Sequence, residues 1–382
     1  MYNGMVFLYT FGFAIKQAIK NKKIPAESQE TLGVNMKSIT MKKIIIKFTK
    51  WALLICLALF IVKGCIPTTP DVPHITPRAT TQYWDLPTGS KIAYTHIAGK
   101  GVKKPYPIIY LHGGPGGYVY TKNIETLGKL SASGYDVYLY DQVGCGLSER
   151  LEKVSEYTAV RHVNDLEAII KLLGVEKVIL VGQSWGGALA VLYSADHLDK
   201  VDRIVFTCPG AIKPANEALE KIKAPDSLNL KEPYNPNSKI LPIVLNPRYV
   251  SIGIWARFFG KKLANDKEAD GYLTSMANVF TKGLVCDSTN VLKEEGGAGS
   301  YCNLNTSVSY GGLKDPRIKL KNNKIPVLVM KGQCDNIDWG YTKEYLDLFT
   351  NSKFKLIPNA GHQIFAEQPE LYTKTIKDFL TQ

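Results

Sequence analysis

The sequence predicts an α/β fold: a mostly parallel central sheet with helices on both faces and a mainly helical segment inserted late in the chain. Three observations carry this. Short apolar runs alternate with helical patterns over 81–210 and again over 319–382, and such alternation builds a parallel sheet covered on both faces. The runs are apolar throughout, as strands buried on both faces require. From Pro209 to about Ile318 the alternation stops, in a stretch too long to be a structureless loop.

Taken in order, Tyr83 to Asp85 and Lys91 to Thr95 read as an opening antiparallel hairpin around Pro87-Thr88-Gly89. Pro107-Ile108-Ile109-Tyr110-Leu111 reads as a strand, and Asp136 to Tyr140 as the next. Between Ala159 and Leu173, Val163, Leu166, Ile170 and Leu173 fall on one helical stripe. Lys177 to Val181 is a strand followed by the helix-forming Ala188 to Tyr193, and Arg203 to Cys208 is the strand before the insertion. After it, Ile325 to Met330 and Phe354 to Pro358 read as strands flanking a helix from Tyr341 to Phe349. The insertion, 211–318, has helix-like pieces at Ala215 to Ile222, Tyr249 to Leu263 and Ala269 to Phe280, punctuated by prolines. It reads as a lid that shapes the pocket and excludes water, with the glycine-rich tract Glu294 to Ser300 as its mobile tip.

Chemistry concentrates at Gly182-Gln183-Ser184-Trp185-Gly186-Gly187, between a buried strand and a helix. A serine on such a junction, with glycines two residues either side, forms a nucleophile elbow: a Cβ at either glycine would strike neighbouring backbone. A serine nucleophile needs a base, and the base an acid to orient it, in the chain order Ser, Asp or Glu, His. Only His197 and His362 follow Ser184. His197 lies in the helix leaving the elbow, pointing away from the strand ends, so His362 is the candidate base. Asp335, in the turn after the strand Ile325 to Met330, is the candidate acid. Asp338 is the alternative, although it better suits a cap for the following helix.

A developing oxyanion needs fixed N–H donors. Trp185, just after the nucleophile, supplies one, and Gly114 of His112-Gly113-Gly114-Pro115-Gly116-Gly117 the other. That glycine-rich loop lacks both the Lys-Ser/Thr of a phosphate loop and the spacing of a dinucleotide fingerprint. No cofactor is expected, and no Cys or His spacing suits a metal.

Three motifs, His112-Gly113-Gly114-Pro115-Gly116-Gly117, Asp141-Gln142-Val143-Gly144-Cys145-Gly146-Leu147-Ser148 and Gly182-Gln183-Ser184-Trp185-Gly186-Gly187, together resemble the proline iminopeptidase family of α/β-hydrolases. The resemblance covers roughly residues 80–210 and 320–382. It implies an α/β-hydrolase fold, the triad Ser184, Asp335 and His362, and hydrolysis of an ester or amide, often removal of an N-terminal residue from a peptide. Val143 stands where the family usually has arginine. The family's members that select N-terminal proline carry glutamates beside cap tryptophans, and Trp255 has none beside it. An aminopeptidase must still pair its substrate's ammonium with a carboxylate; Glu217, Glu220, Asp266, Glu268 and Asp270 of the insertion are the candidates. A carboxylesterase on small acyl esters is the alternative enzyme. A catalytically silent binding protein on the same fold is the alternative class.

The N-terminus reads separately. Met41-Lys42-Lys43, with Lys47 and Lys50, precedes the apolar run Trp51 to Val62 and Gly64-Cys65. Basic region, apolar core and small residue make a secretory signal at 41–65, with Val62-Lys63-Gly64-Cys65 resembling a lipoprotein box and Cys65 its lipidated residue. The run is short for a membrane span, and a signal anchor is the alternative. Residues 1–40 read as an upstream extension, with the working start at Met36 or Met41. Proline-rich 66–80 reads as a linker tethering the enzyme outside the membrane. The chain carries +13, of which +8 lies in residues 1–65, leaving an ordinary +5; no basic cluster interleaves with aromatics, so nucleic acid is not an expected partner. Of the cysteines outside the signal, Cys145, Cys208 and Cys334 read as buried fillers. Cys286 and Cys302 read as a disulfide pair in an exported lid.

Overall fold

Eight strands join into one sheet: β1 (Thr81–Asp85), β2 (Lys91–Ile97), β3 (Ile108–Leu111), β4 (Val137–Tyr140), β5 (Val178–Gln183), β6 (Val201–Thr207), β7 (Val327–Gly332) and β8 (Ser352–Ile357). The computed structural model describes residues 36–213 and 217–382. The spatial order is β1-β2-β4-β3-β5-β6-β7-β8. The β1–β2 and β2–β4 pairs are antiparallel, and every later pair is parallel. This is the expected α/β-hydrolase architecture.

Side-chain alternation along the central strands divides the core between the two faces. Ile109, Leu111, Leu180, Ile204, Phe206, Val327 and Val329 face one way. They meet α3 (Ala159–Leu173), α4 (Trp185–His197) and α9 (Trp339–Leu348) through Leu166, Leu189 and Tyr345. Ile108, Tyr110, Val137, Ile179, Val181, Val205 and Met330 face the other. They meet α2 (Thr121–Leu127) and α10 (Pro369–Leu380) through Leu127, Tyr372 and Ile376. With both faces covered, β3, β5 and β7 are buried along their whole length, which is why they are apolar apart from Gln183 and Lys331 near the carboxyl ends of β5 and β7. The ends of α3 follow local chemistry: the Thr158 hydroxyl accepts from Arg161 N–H, and Gly174 stops the helix at φ 64°.

Between β6 and β7 lie α5 (Asn237–Val244), α6 (Pro247–Phe259), α7 (Asp266–Phe280) and α8 (Ser300–Gly311), with a small core of Ile240, Val244, Leu273, Met276 and Ala298. Two expected helices are displaced. α6 starts earlier, because Asn246 caps it and Pro247 takes its first position, and it stops at Phe259, where Gly260 adopts φ 64°. The piece expected at 215–222 is described only from Glu217 and forms one turn, Glu217–Glu220. The tract Glu294 to Ser300 is not a mobile tip. Glu294 and residues 297–300 are buried. A Cβ on Gly297 would lie 2.5 Å from the Tyr118 ring, and one on Gly299 would lie 1.9 Å from Gly144 O, so these glycines mark close packing rather than freedom.

The proline-rich stretch after residue 65 packs against the insertion. Thr68 N–H donates to Glu268 at 2.8 Å, Tyr272 Oη pairs with Thr68 Oγ1 at 3.1 Å, and Pro70 covers Gly271. At Thr68 and Pro70 this stretch therefore lies against α7. It is preceded by α1 (Met36–Cys65), whose segment Ile44–Cys65, 22 residues, is long and apolar enough to cross a membrane. Its large apolar side chains are exposed. The expected extension, 1–40, lies outside the described residues as far as residue 35.

The expected Cys286–Cys302 pair is overturned. Cys286 is bonded to Cys334, and Cys302 is a free, buried thiol on α8 beside His162 and Thr306. The sequence separation of sixteen misled because α8 turns Cys302 inward, while the chain after α7 carries Cys286 to the turn beyond β7. The bond spans 48 residues and contributes about 4 kcal/mol on a chain-entropy estimate. Mass spectrometry of the unreduced protein should yield a peptide crosslinked through Cys286 and Cys334. Free thiols at both positions would contradict the pairing.

Candidate active site

The carboxyl ends of β3, β5, β7 and β8 deliver Gly114, Ser184, Asp335 and His362 to one region, the expected location of a site in a parallel sheet. At the end of β5, Ser184 takes φ 54° and ψ −119°, a conformation non-glycine residues rarely adopt. Neighbours hold it there: Ser184 N–H donates to Thr207 O, and Ser184 O accepts from Gly187 and Gly210 N–H. A Cβ on Gly182 would lie 2.5 Å from Gly186 O, and one on Gly186 would lie 1.9 Å from Leu111 O, so the glycine spacing of the elbow is a steric necessity. The serine begins α4, whose first N–H groups, Trp185 included, have no carbonyl one turn earlier to accept them.

His362 and Ser184 line the same cavity, with Gly113, Gly114, Asn336, Gln363 and Glu294. His362 Nδ1 lies 2.7 Å from Asp335 Oδ1, and both residues are buried. Asp335 also accepts from Lys331 Nζ at 2.8 Å through its other oxygen and from Ile337 N–H. Burial alone would raise the Asp335 carboxyl; the Lys331 charge and the His362 hydrogen bond outweigh it and hold the group well below the usual carboxylate range. Lys331 was not anticipated. Its place inside an apolar strand was the available signal, since lysine is almost never fully buried unpaired. The structure thus brings together Ser184, His362 and Asp335. Asp338 stands instead at the N-cap position of α9, and His197 stacks on Tyr193 at the far end of α4.

The glycine-rich loop is held from below and above. His112 is kept neutral, its pKa lowered to about 4 by burial. It accepts from Gln142 N–H at Nε2, leaving Nδ1–H to donate to Gly113 O at 2.8 Å. Gln142 in turn accepts from Trp185 Nε1 and donates to His112 O. Asp141 accepts from Val119 and Leu147 N–H. The Asp-Gln motif is therefore a brace between the loop and the elbow. From the inserted helices, Asn303 donates to Pro115 O, and Gly299 N–H to Gly116 O. Gly114 stands on the cavity wall at φ 125°.

Of the expected insertion acids, Glu220, Asp266, Glu268 and Asp270 do not line this cavity. Asp270 pairs with Arg150, Glu268 with Arg248, Asp266 with Lys262, and Glu220 accepts from Tyr341. The Glu217 side chain lies outside the described residues. Glu294 lines it instead, accepting from Tyr118 Oη and Tyr120 Oη. Burial raises the Glu294 carboxyl above its ordinary value, and hydrogen bonds from Tyr118, Gly296 and Tyr120 pull it partly back. Asn336 Oδ1 and Gln363 Oε1, on residues of the same wall, are buried acceptors without a hydrogen-bond partner among the described residues. The sequence concealed this acid because the tract around it looks like a solvated tip.

The atoms of Cys208, Asp335 and His362 lie within 4.8 Å of one another, a grouping that could hold a cation. Here the donors are already engaged. Asp335 is bonded to His362 and Lys331, and burial pushes the Cys208 thiol well up, away from the thiolate a metal binds.

Residues 106–234 match the α/β hydrolase fold family. A proline iminopeptidase of Lactobacillus helveticus is 27% identical over 305 residues, 76% of this chain and 94% of the relative. Among solved structures, a proline iminopeptidase from Mycobacterium smegmatis superposes with a TM-score of 0.52 at 21% identity, over 79% of this chain and 98% of that one. An esterase from Exiguobacterium antarcticum superposes at 0.56 and 17%, over 79% and 99%. The fold, the order of its motifs and these relatives agree: the chain has the α/β-hydrolase fold and resembles the proline iminopeptidases.

Proposed function

We propose that the protein is a serine hydrolase that works through an acyl-enzyme, an aminopeptidase of the proline iminopeptidase type. In this reading Ser184 Oγ attacks the substrate carbonyl while His362 Nε2 takes its proton. Asp335 holds the ring through Nδ1 and stabilises the imidazolium. Trp185 and Gly114 N–H groups receive the oxyanion. His362 then protonates the leaving amine, and a water activated by the same nitrogen releases the acid. The inserted helices act as the lid, since Leu273, Met276 and Phe280 of α7 form part of the cavity wall.

The observation that favours an aminopeptidase over an esterase is Glu294, the one carboxylate lining this cavity among the described residues. A carboxylate on this wall offers an acceptor to a group rich in donors, as an ammonium is. An aminoacyl anilide should be cleaved and its N-acetylated form left intact. Glu294→Gln should raise KM for the free-amine substrate about ten- to a hundred-fold, given about 1.5–3 kcal/mol for a hydrogen bond to a charged group. The rate on a small acyl ester should hardly change. Preference for the blocked substrate would select the carboxylesterase instead; equal rates would remove amine recognition altogether.

The location we propose is outside the cytoplasmic membrane, tethered by the N-terminus. Of the two tethers, the packing of Gly64 favours a retained α1. A Cβ there would lie 2.2 Å from Ser251 Oγ, and its carbonyl accepts from Arg248 at 3.1 Å. Cleavage before Cys65, as in a lipoprotein, would remove that residue.

A further inference from the structure

We propose that the outer face of α6 is a membrane-seating surface, resting in the lipid headgroup region beside the point where α1 leaves the bilayer. This rests on the reading of α1 as an anchor.

α6 is apolar on two opposite sides. Tyr249, Val250, Ile252 and Ala256 are buried against the rest of the insertion. Ile254, Trp255, Phe258 and Phe259 are 47%, 39%, 76% and 58% exposed. Their three- and four-residue spacings place them on one stripe, and the Trp255 and Phe259 rings lie 4.5 Å apart. A helix apolar all round needs a second apolar medium, and a contiguous exposed patch of this kind marks an interaction surface.

The neighbouring chain says which medium. The last turn of α1 is fixed on α6: Gly64 abuts Ser251 and Pro247, and Arg248 binds its carbonyl. Arg248 is itself pinned by two bonds to Glu268, 2.7 and 3.0 Å, and Glu268 accepts from Thr68 just past the helix. Ile44–Cys65 rises about 33 Å, close to the roughly 30 Å of a bilayer core. If α1 spans the membrane, its end lies at the lipid surface and α6 lies there with it. Tryptophan and phenylalanine suit that depth, and the exposed Lys63, Arg257 and Lys261 can meet anionic headgroups.

The test uses the full chain in vesicles of phosphatidylethanolamine and phosphatidylglycerol with brominated acyl chains, which quench tryptophans that enter the lipid. Comparing the protein with Trp51→Phe and Trp255→Phe isolates the two emissions. Both should be quenched, Trp51 from within α1 and Trp255 from α6. Phe258→Asp with Phe259→Asp should abolish quenching of Trp255 while leaving that of Trp51 and the turnover of a soluble substrate unchanged. Quenching of Trp51 alone would overturn the seating and keep the anchor. Quenching of neither would overturn the anchor and the seating with it. A Trp255 unquenched because two copies crosslink through α6 would assign the patch to self-association and overturn the proposal too. The comparison of the two tryptophan variants with the parent stands even if the double variant does not fold.

Discussion

Ser184→Ala should lower turnover by roughly a million-fold, the scale seen when a serine nucleophile is removed, and should abolish labelling by a fluorophosphonate. The fold should survive. Ser184 already sits at φ 54°, and alanine carries the same Cβ, so the substitution adds no new backbone strain or volume. Circular dichroism and retained crosslinking of Cys286 to Cys334 would report an intact structure. Labelling that persists in the variant would place the nucleophile elsewhere and undo the mechanism.

The second large effect concerns the acid. Asp335→Asn should reduce kcat by about ten-thousand-fold, because an amide facing His362 Nδ1 favours the tautomer with its proton on Nε2, where it cannot accept from a serine. The variant also leaves Lys331 with a weaker partner inside the protein, so stability should fall alongside activity. Measuring kcat on protein shown to be folded separates the two. Asp338→Asn should stay within a few-fold of the parent, since Asp338 lies at the start of α9 rather than against the histidine. A more damaging Asp338→Asn would mean that the acid has been placed three residues too early.

What the sequence revealed and what it hid have different physical origins. The catalytic domain was legible because its strands are buried on both faces and its elbow is sterically constrained: Gly182 and Gly186 can hardly be anything else. The candidates Asp335 and His362 came from the order Ser, Asp, His that a nucleophile elbow implies, together with the strand ends they follow. The insertion was not legible to the same degree. Its helix limits depend on caps such as Asn246 and Gly260, and its contacts depend on how it folds back over the sheet. Glu294, Gly297 and Gly299 look like a solvent loop in one dimension and are wedged against Tyr118 and Gly144 in three. The pairing of Cys286 likewise depends on a neighbour 48 positions away that only the fold supplies. Lys331 could be suspected from its apolar surroundings, but its partner could not.

Lys331 has a further consequence for how the protein would report on itself. Its ammonium is 1% exposed and engaged by Asp335 and the Ile337 carbonyl. Surface lysines acylate readily in solution, whereas this amine is out of reach while the end of β7 stays closed. Its rate of acylation therefore measures how often the strand end opens, a local clock running beside the candidate acid and readable residue by residue after digestion.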